Sequence, residues 1–228
     1  MSRRKSTVIA CVTVFVLIPA LIAVWLAVFG SKNYALLIVL TAVLACVPFF
    51  AAFEGSRIDS RRLMLVAVMT ALSVIGRLLF LEIPFVKPVA AMTVFAGMYL
   101  GAQSGFVVGA LSAVISNVYF GQGPYTAFQM LAWGLIGFVA GLLAKRLNRS
   151  LVLLAVYGAL TGVAYSLILD VWSAIWISGS MSFDYFIASV VSSAPFTATY
   201  AISNVVFLLL LKRPVGAALA RMGIKYGL

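Results

Sequence analysis

The stretch RRLMLVAVMTALSVIGRLLF, residues 61–80, decides the class of fold. Its two arginines are followed by an apolar run about as long as the 20 residues that an α-helix needs to cross a bilayer. The run contains two alanines at four-residue spacing, Ala67 and Ala71, and one cation, Arg77, near its far end. This pattern predicts a membrane-spanning helix whose arginine-flanked end lies in the cytoplasm.

Similar apolar runs fill the rest of the sequence. Of 228 residues, 64% are hydrophobic and 9% are charged, and the mean hydropathy is +1.17. Soluble domains are about 45–50% apolar and about 25% charged, so this composition excludes a soluble globular fold. The sequence predicts an all-α membrane protein with about eight transmembrane helices. The runs are 7–30, 34–53, 62–81, 88–101, 104–120, 125–144, 151–177 and 186–211.

The positive charges alternate between the two ends of these runs. With the N-terminus in the cytoplasm, only Lys32 and Lys87 fall in outer loops, while Arg77 lies inside a span. The cytoplasmic cations are Arg3, Arg4, Lys5, Arg57, Arg61, Arg62, Lys145, Arg146, Arg149, Lys212, Arg213, Arg221 and Lys225. The positive-inside rule therefore predicts eight spans with both termini in the cytoplasm. The net charge of +11 is a topology signal, since nucleic-acid binding would need one continuous basic face.

A polar stretch, Glu54–Arg62, divides the chain in two. Residues 1–60 are predicted to form an N-terminal transmembrane hairpin and a cytoplasmic linker, and residues 61–228 a six-helix membrane core. We interpret the first run as a retained helix, because it is too long for the apolar core of a signal peptide. The hairpin has few polar groups, so functional residues are expected in the core.

The sequence offers few groups for catalysis. It has no histidine, two cysteines (Cys11 and Cys46) and five carboxylates, which provide neither a catalytic constellation nor a metal site. It also lacks a Gly-x-x-x-x-Gly-Lys-Ser/Thr phosphate loop, so any ATP hydrolysis would take place on partner subunits. Three classes remain: a substrate-binding subunit energised by partners, a passive channel, or a membrane scaffold or assembly factor.

Candidate ligand-binding residues concentrate at the outer ends of the core helices. Arg77 and Asp170 are opposite charges at similar depth, and we predict that they pair or face a water-filled cavity. Arg77 could alternatively extend to the interface. The segment 117–129 combines glycine and proline with aromatic and amide side chains, which suits a pocket wall, an interfacial aromatic belt or plain interhelical hydrogen bonding. The candidate substrate-binding residues are Arg77, Lys87, Asn117, Tyr119, Phe120, Gln122, Tyr125, Phe128, Gln129 and Asp170.

Residues 61–228 resemble the substrate-binding subunits (S components) of energy-coupling factor (ECF) transporters, the vitamin importers of prokaryotes. Several features carry the resemblance and occur in the family's order. They are Ala67-Val-Met-Thr-Ala71, an outer loop with Pro84 and Pro88, the small-residue stretch 95–109, and the glycine- and aromatic-rich loop 119–128. The N-terminal hairpin departs from the family's six-helix core.

The resemblance implies a subunit of the prokaryotic plasma membrane that captures a vitamin from outside. It would associate with a transmembrane coupling protein and two cytoplasmic ATPases, and topple in the membrane to deliver the vitamin inward. Ala67 and Ala71 would form the groove where the coupling protein docks. The chain would carry no cofactor of its own, only the bound vitamin.

The identity of the vitamin rests on two short stretches. Lys87-Pro-Val-Ala-Ala and Phe120-Gly-Gln-Gly-Pro look most like the members associated with cobalamin uptake. We therefore predict cobalamin, with riboflavin or another micronutrient as the alternative. The charges near the outer face roughly cancel, which disfavours a strongly anionic ligand.

Overall fold

A computed structural model describes residues 60–179 and 182–226, together with Val12, Val43, Cys46 and Phe50. These residues are helical or lie in short connections, and none of them is in a strand. The helices are α1 (Ser60–Leu79), α2 (Val89–Leu100), α3 (Ala102–Phe120), α4 (Tyr125–Leu142), α5 (Ala144–Arg149), α6 (Leu151–Ser178), α7 (Phe183–Leu211) and α8 (Ala217–Tyr226). A π-helical segment, Lys212–Gly216, joins α7 to α8.

The six apolar runs predicted for the core all form helices, so the expectation of an all-α membrane protein is confirmed. The run 88–101, predicted as a span, forms a helix too short to cross a membrane. By length and composition, α1, α3, α4, α6 and the stretch Phe183–Gly223 can each cross a membrane. We call the end that carries the α1–α2, α3–α4 and α6–α7 connections the outer end, following the topology predicted from the sequence.

The short helix α2 forms the centre of the bundle. Its 12 residues rise only about 18 Å, less than the roughly 30 Å of a hydrocarbon core. Eleven of them are buried, against α1, α3 and α4. The helix begins directly after Pro88 and ends at Gly101, whose φ of +96° is a conformation that residues with a side chain rarely adopt. The apolar run 88–101 therefore forms an enclosed core element.

Glycines allow α2, α3 and α4 to approach one another at backbone distance. A Cβ added at Gly97 or Gly105 would overlap the carbonyl oxygen of Gly137, and one added at Gly141 would overlap the backbone of Ala102. Because lipid provides no hydrophobic force between helices, such close packing is a main source of their association. These glycines are packing residues.

The long helices α6 and α7 form an antiparallel pair. A Cβ at Gly162 would lie 2.5 Å from the Cα of Ala201, so the two backbones are nearly in contact there. Ser150 caps the start of α6 by accepting a hydrogen bond from the Leu153 N–H at 3.2 Å, and Gly179 ends it in the left-handed conformation. The pair meets the rest of the bundle chiefly through α4.

Most of the predicted hairpin lies outside the described residues, so the division at residue 60 stays a prediction. Four of its residues are described, and Val12 and Val43 among them are exposed. Cys46 is buried against Phe106 of α3 and Phe138 of α4, and Phe50 makes an edge-to-face contact with Phe106 at 6.3 Å between ring centres.

Arg62 is a buried structural residue at the inner end of the bundle, although the sequence suggested only a topology signal. Its Nε donates to Ser104 Oγ at 3.0 Å and its Nη2 to the Leu100 carbonyl at 2.5 Å. The side chain thus joins α1 to the break between α2 and α3 at Gly101.

Candidate functional site

Arg77 is the charged centre of a polar cluster at the outer end of the bundle. Its Nη1 donates to Ser116 Oγ and to Asn117 Oδ1, the latter at 2.8 Å. The guanidinium carbon lies 4.2 Å from the centre of the Phe120 ring and 5.1 Å from that of Trp133. Amide and hydroxyl acceptors together with two aromatic faces therefore stabilise the charge inside the membrane region.

Two amides extend this cluster from α3 to α4 and α6. The Nδ2 of Asn117 donates to Thr126 Oγ1 at 2.9 Å and to Gln129 Oε1 at 2.7 Å, and the Nε2 of Gln129 donates to the Tyr165 hydroxyl at 3.0 Å. The turn after α3 brings Asn117 opposite the first turns of α4. The sequence predicted Asn117 and Gln129 as site residues, and the structure brings them together with Arg77.

An aromatic wall stands beside these amides. Trp133 and Tyr165 stack with ring centres 5.2 Å apart and planes 17° apart, and Tyr200 lies 5.0 Å from Tyr165. The Trp133 indole N–H donates to the Tyr200 hydroxyl at 2.9 Å. We define the outer cluster as Arg77, Ser116, Asn117, Phe120, Thr126, Gln129, Trp133, Tyr165 and Tyr200.

Sequence reasoning missed five members of the outer cluster: Ser116, Thr126, Trp133, Tyr165 and Tyr200. Each occurs within a long apolar helix, where aromatic and hydroxyl residues are common. One signal could have pointed to Trp133, because it lies four residues, about one helical turn, after Gln129 and so shares its face.

Phe128 and Trp172 form a second aromatic contact, between α4 and α6. Their ring centres are 5.2 Å apart, and both side chains are buried. Trp176, further along α6, contacts Trp172 with ring planes tilted by 33°. Phe128 is therefore part of the packed outer end, next to the outer cluster.

Three predicted loop residues shape the turn between α3 and α4. Gln122 donates to the Val114 carbonyl at 2.7 Å and accepts from Thr126, while the Tyr125 hydroxyl donates to the Gly121 carbonyl at 2.5 Å. Tyr119 is 65% exposed and contacts the Phe120 ring. Gln122 is thus linked to the outer cluster through Thr126, whereas Tyr119 and Tyr125 lie at its edge.

Lys87 stabilises the loop between α1 and α2. Its Nζ donates to the carbonyls of Phe80, Leu81 and Ile83, so it satisfies acceptors at and beyond the end of α1. Burial and the positive charge of Arg77 lower the pKa of Lys87, and the Glu82 carboxylate acts in the opposite direction. The predicted binding residue Lys87 therefore already has three acceptors.

The α1–α2 loop is also held against α7. Phe85, which has a positive φ of 59°, stacks on Phe196 with ring centres 4.5 Å apart, and Phe80 meets Phe207 edge to face at 5.1 Å. The loop thus closes the side of the outer cluster between α1 and α7.

Asp170 lies apart from the outer cluster, and the predicted Arg77–Asp170 pair is wrong. Its Oδ1 accepts from Ser189 Oγ at 3.0 Å and its Oδ2 from Ser193 Oγ at 2.9 Å, both on α7. Asp170 faces α7, whereas Arg77 faces α3. Depth in the sequence gives no information about the direction in which a side chain points around its helix.

Comparison with known families identifies the chain. Residues 57–221 match the family model described as the ECF-type riboflavin transporter, S component. The chain belongs to this family. The match covers the whole six-helix core, and it decides among the classes that the sequence left open, since an S component is neither a passive channel nor a scaffold. No curated protein and no solved structure matches the chain.

Membership has direct consequences for this S component. It is a multi-pass membrane protein with a role in transport, and the family implies association with an ECF module that supplies the energy. The family's description names riboflavin and not the predicted cobalamin.

Proposed function

We propose that this S component captures riboflavin at the outer cluster and delivers it through an ATP-driven ECF module. The observation that carries the proposal is the hydrogen-bonded path Arg77–Asn117–Gln129–Tyr165 beside the stacked rings of Trp133 and Tyr165. The family's description supports the choice of riboflavin.

The chemistry of the outer cluster suits a flavin ring. An isoalloxazine is a flat, three-ring system with an apolar edge and an opposite edge of carbonyl and N–H groups. Flat aromatic faces such as Trp133 and Tyr165 can stack on the rings, while Asn117 and Gln129 offer both donors and acceptors to the polar edge. The hydrogen bonds of Arg77 within the cluster use one of its two terminal nitrogens, which leaves donors that suit a flavin carbonyl.

Cobalamin is the competing candidate that the sequence suggested. A corrin macrocycle with its nucleotide loop is far larger than three fused rings, and its entry would require the aromatic wall and the α1–α2 loop to separate. The flavin needs a smaller rearrangement, in which it takes over some of the hydrogen bonds of the outer cluster.

We also propose that α1 provides the docking surface for the transmembrane coupling protein, which acts with two cytoplasmic ATPases. Ala67 and Ala71 are exposed, and they lie among the exposed apolar residues Leu63, Met64, Val68, Leu72 and Ile75. Small side chains at four-residue spacing allow a partner helix to approach closely. The cytoplasmic placement of both termini and the plasma membrane of a prokaryote belong to the same proposal.

The proposed site is tested by riboflavin titration of the purified chain in detergent. Gln129→Leu removes the hydrogen bonds to Asn117 and Tyr165, and Trp133→Leu removes the stacking face. We expect each to weaken riboflavin binding by about tenfold or more, because a polar group left unpaired in a buried site costs about 1–3 kcal/mol. Tyr119→Phe is the matched control, since Tyr119 lies exposed at the edge of the outer cluster, and it should bind like the wild type. Unchanged affinity in both cluster variants would exclude this site.

A further inference from the structure

A buried carboxylate occupies the membrane region on the far side of α6 from Trp172. Asp170 is 5% exposed and lies eight residues, about 12 Å, from the outer end of α6. Its two oxygens accept one hydrogen bond each, from Ser189 and Ser193. An ionised carboxylate can accept about four hydrogen bonds, so half of this capacity remains.

No cation of the described residues forms an ion pair with Asp170. Arg77 is bound to Ser116 and Asn117, and Lys87 to loop carbonyls. The remaining described cations lie in the segments predicted to be cytoplasmic. An aspartate inside a membrane-spanning helix is costly to insert, and such residues usually pair with a cation or mark a functional path. A complementary charge from outside the chain would remove this cost.

Asp170 borders a groove of about 290 Å³ between α6 and α7. The rest of the groove lining is apolar apart from Ser166 and Thr197, and it includes the small residues Ala194, Ala198 and Ala201. Both Ala194 and Ala198 are exposed, and Leu167 and Val191 beside them are also exposed. The groove therefore opens on the surface that faces lipid, and small residues at four-residue spacing let another helix approach.

The depth of Asp170 indicates which kind of cation can reach it. The groove runs along α6 and α7 from Asp170 to Val163 and Ala201, away from the outer end, whereas lipid ammonium groups lie in the headgroup region beyond the hydrocarbon core. A lysine or arginine on a neighbouring helix carries its charge on a long flexible stem, and it can place that charge at any depth where the helix has the residue.

We propose that the α6–α7 groove docks a transmembrane helix of a partner protein, and that a lysine or arginine of this helix pairs with Asp170. The partner helix packs on Ala194 and Ala198, and its cation completes the hydrogen bonding of the carboxylate. This surface is formed by α6 and α7 and so differs from the α1 face that carries Ala67 and Ala71. The proposal does not depend on which vitamin the outer cluster binds.

The test uses synthetic transmembrane peptides with the full-length chain in phosphatidylcholine vesicles. One peptide is a Leu/Ala helix of about 20 residues with a single lysine at the depth of Asp170, and its matched control has leucine there. Energy transfer between labels on peptide and chain measures the affinity. We expect the lysine peptide to bind about tenfold more tightly than the leucine peptide. With Asp170→Asn the two peptides should bind alike.

A second variant keeps the proposal testable if Asp170→Asn fails to fold. Ala198→Leu fills the groove without touching the carboxylate and should weaken binding of the lysine peptide, whereas Val191→Leu, a control outside the groove lining, should not. Equal binding of both peptides to the wild type would overturn the proposal. It would also be overturned if labelled chains associated with one another through the groove in the absence of peptide, or if phosphatidylethanolamine displaced the lysine peptide.

Discussion

In the proposed function Arg77 has two tasks, because its charge must be stabilised among the helices and its donors must bind the ligand. Its charge is stabilised by Ser116, Asn117 and the faces of Phe120 and Trp133, so the guanidinium can lie among helices without a carboxylate partner. The donors that these contacts leave unused are the ones proposed to bind the ligand. The planar shape of the guanidinium matters for both tasks, because a lysine ammonium cannot stack on a ring and hydrogen bond to two acceptors in this geometry.

The first prediction concerns the charge at this position. Arg77→Met should weaken riboflavin binding by about tenfold or more, because hydrogen bonds to charged groups contribute about 1.5–3 kcal/mol. Arg77→Lys keeps the charge but loses the planar fork, and it should recover only part of the affinity. Flavin fluorescence quenching measures both. Full recovery in the lysine variant would show that charge alone matters and that the geometry described for Arg77 is irrelevant.

The second prediction concerns Lys87 and the α1–α2 loop. Lys87→Met leaves the carbonyls of Phe80, Leu81 and Ile83 without this donor, so the loop should open more often. Limited chymotrypsin digestion should cut faster at Phe80 or Phe85 in this variant than in the wild type. Lys87→Arg retains several donors and serves as the control, with cleavage close to that of the wild type. Identical cleavage of all three proteins would contradict the capping role.

The residue types of the site could be partly predicted from the sequence, but their partners could not. Arg77, Asn117 and Gln129 were predicted because polar groups inside apolar runs are costly. The predicted Arg77–Asp170 pair failed because a sequence gives the depth of a residue and not its direction around the helix. Serine and threonine partners are common in helices, so nothing in the sequence distinguished Ser189 or Ser193 as partners of Asp170.

Among the helices, α2 shows which structural features the sequence predicts and which it does not. Its limits follow from Pro88 and Gly101, and the predicted run 88–101 agrees with the observed Val89–Leu100. Its central position could not be predicted, since a helix that is apolar on every side gives no indication of which side meets which neighbour. The position arises from glycine contacts with α3 and α4, which depend on three helices at once.

The third prediction tests this glycine contact. A Cβ at Gly137 would overlap the backbone of Gly105 and lie 2.7 Å from the Thr93 methyl carbon. Gly137→Ala should therefore destabilise the chain by about 1–3 kcal/mol, the usual cost of overpacking. Gly223→Ala is the matched control, because no atom lies within 4 Å of its added Cβ. Thermal unfolding in detergent compares the two, and equal midpoints would show that α2, α3 and α4 are less tightly packed than described.

The fourth prediction concerns the exposed face of α1. Ala67→Trp or Ala71→Trp should abolish vitamin uptake in cells that also contain the ECF module, because a large ring prevents close approach of a partner helix. Riboflavin binding to the purified chain should remain, since both alanines lie away from the outer cluster. Val156→Trp, on the exposed face of α6, is the control and should transport normally. Normal uptake in both alanine variants would place the docking surface elsewhere.

At the scale of the whole molecule, α1 contributes to both proposed sites, the riboflavin site and the docking surface for the coupling protein. Arg77 and Ala71 are six residues apart on this helix, a rise of about 9 Å, so a ligand held by Arg77 lies close to the surface that meets the coupling protein. The α1–α2 loop closes the cluster against α7, and α6 and α7 present a separate groove to lipid. The orientation of this arrangement in the membrane stays the prediction made from the positions of the cations.

The central claim is that this S component binds riboflavin in the outer cluster. The most direct measurement is equilibrium binding of riboflavin and of cobalamin to the purified full-length chain, with Gln129→Leu measured alongside. The account predicts saturable binding of one riboflavin per chain, weakened in the variant, and no binding of cobalamin. Saturable binding of cobalamin without any binding of riboflavin would contradict it.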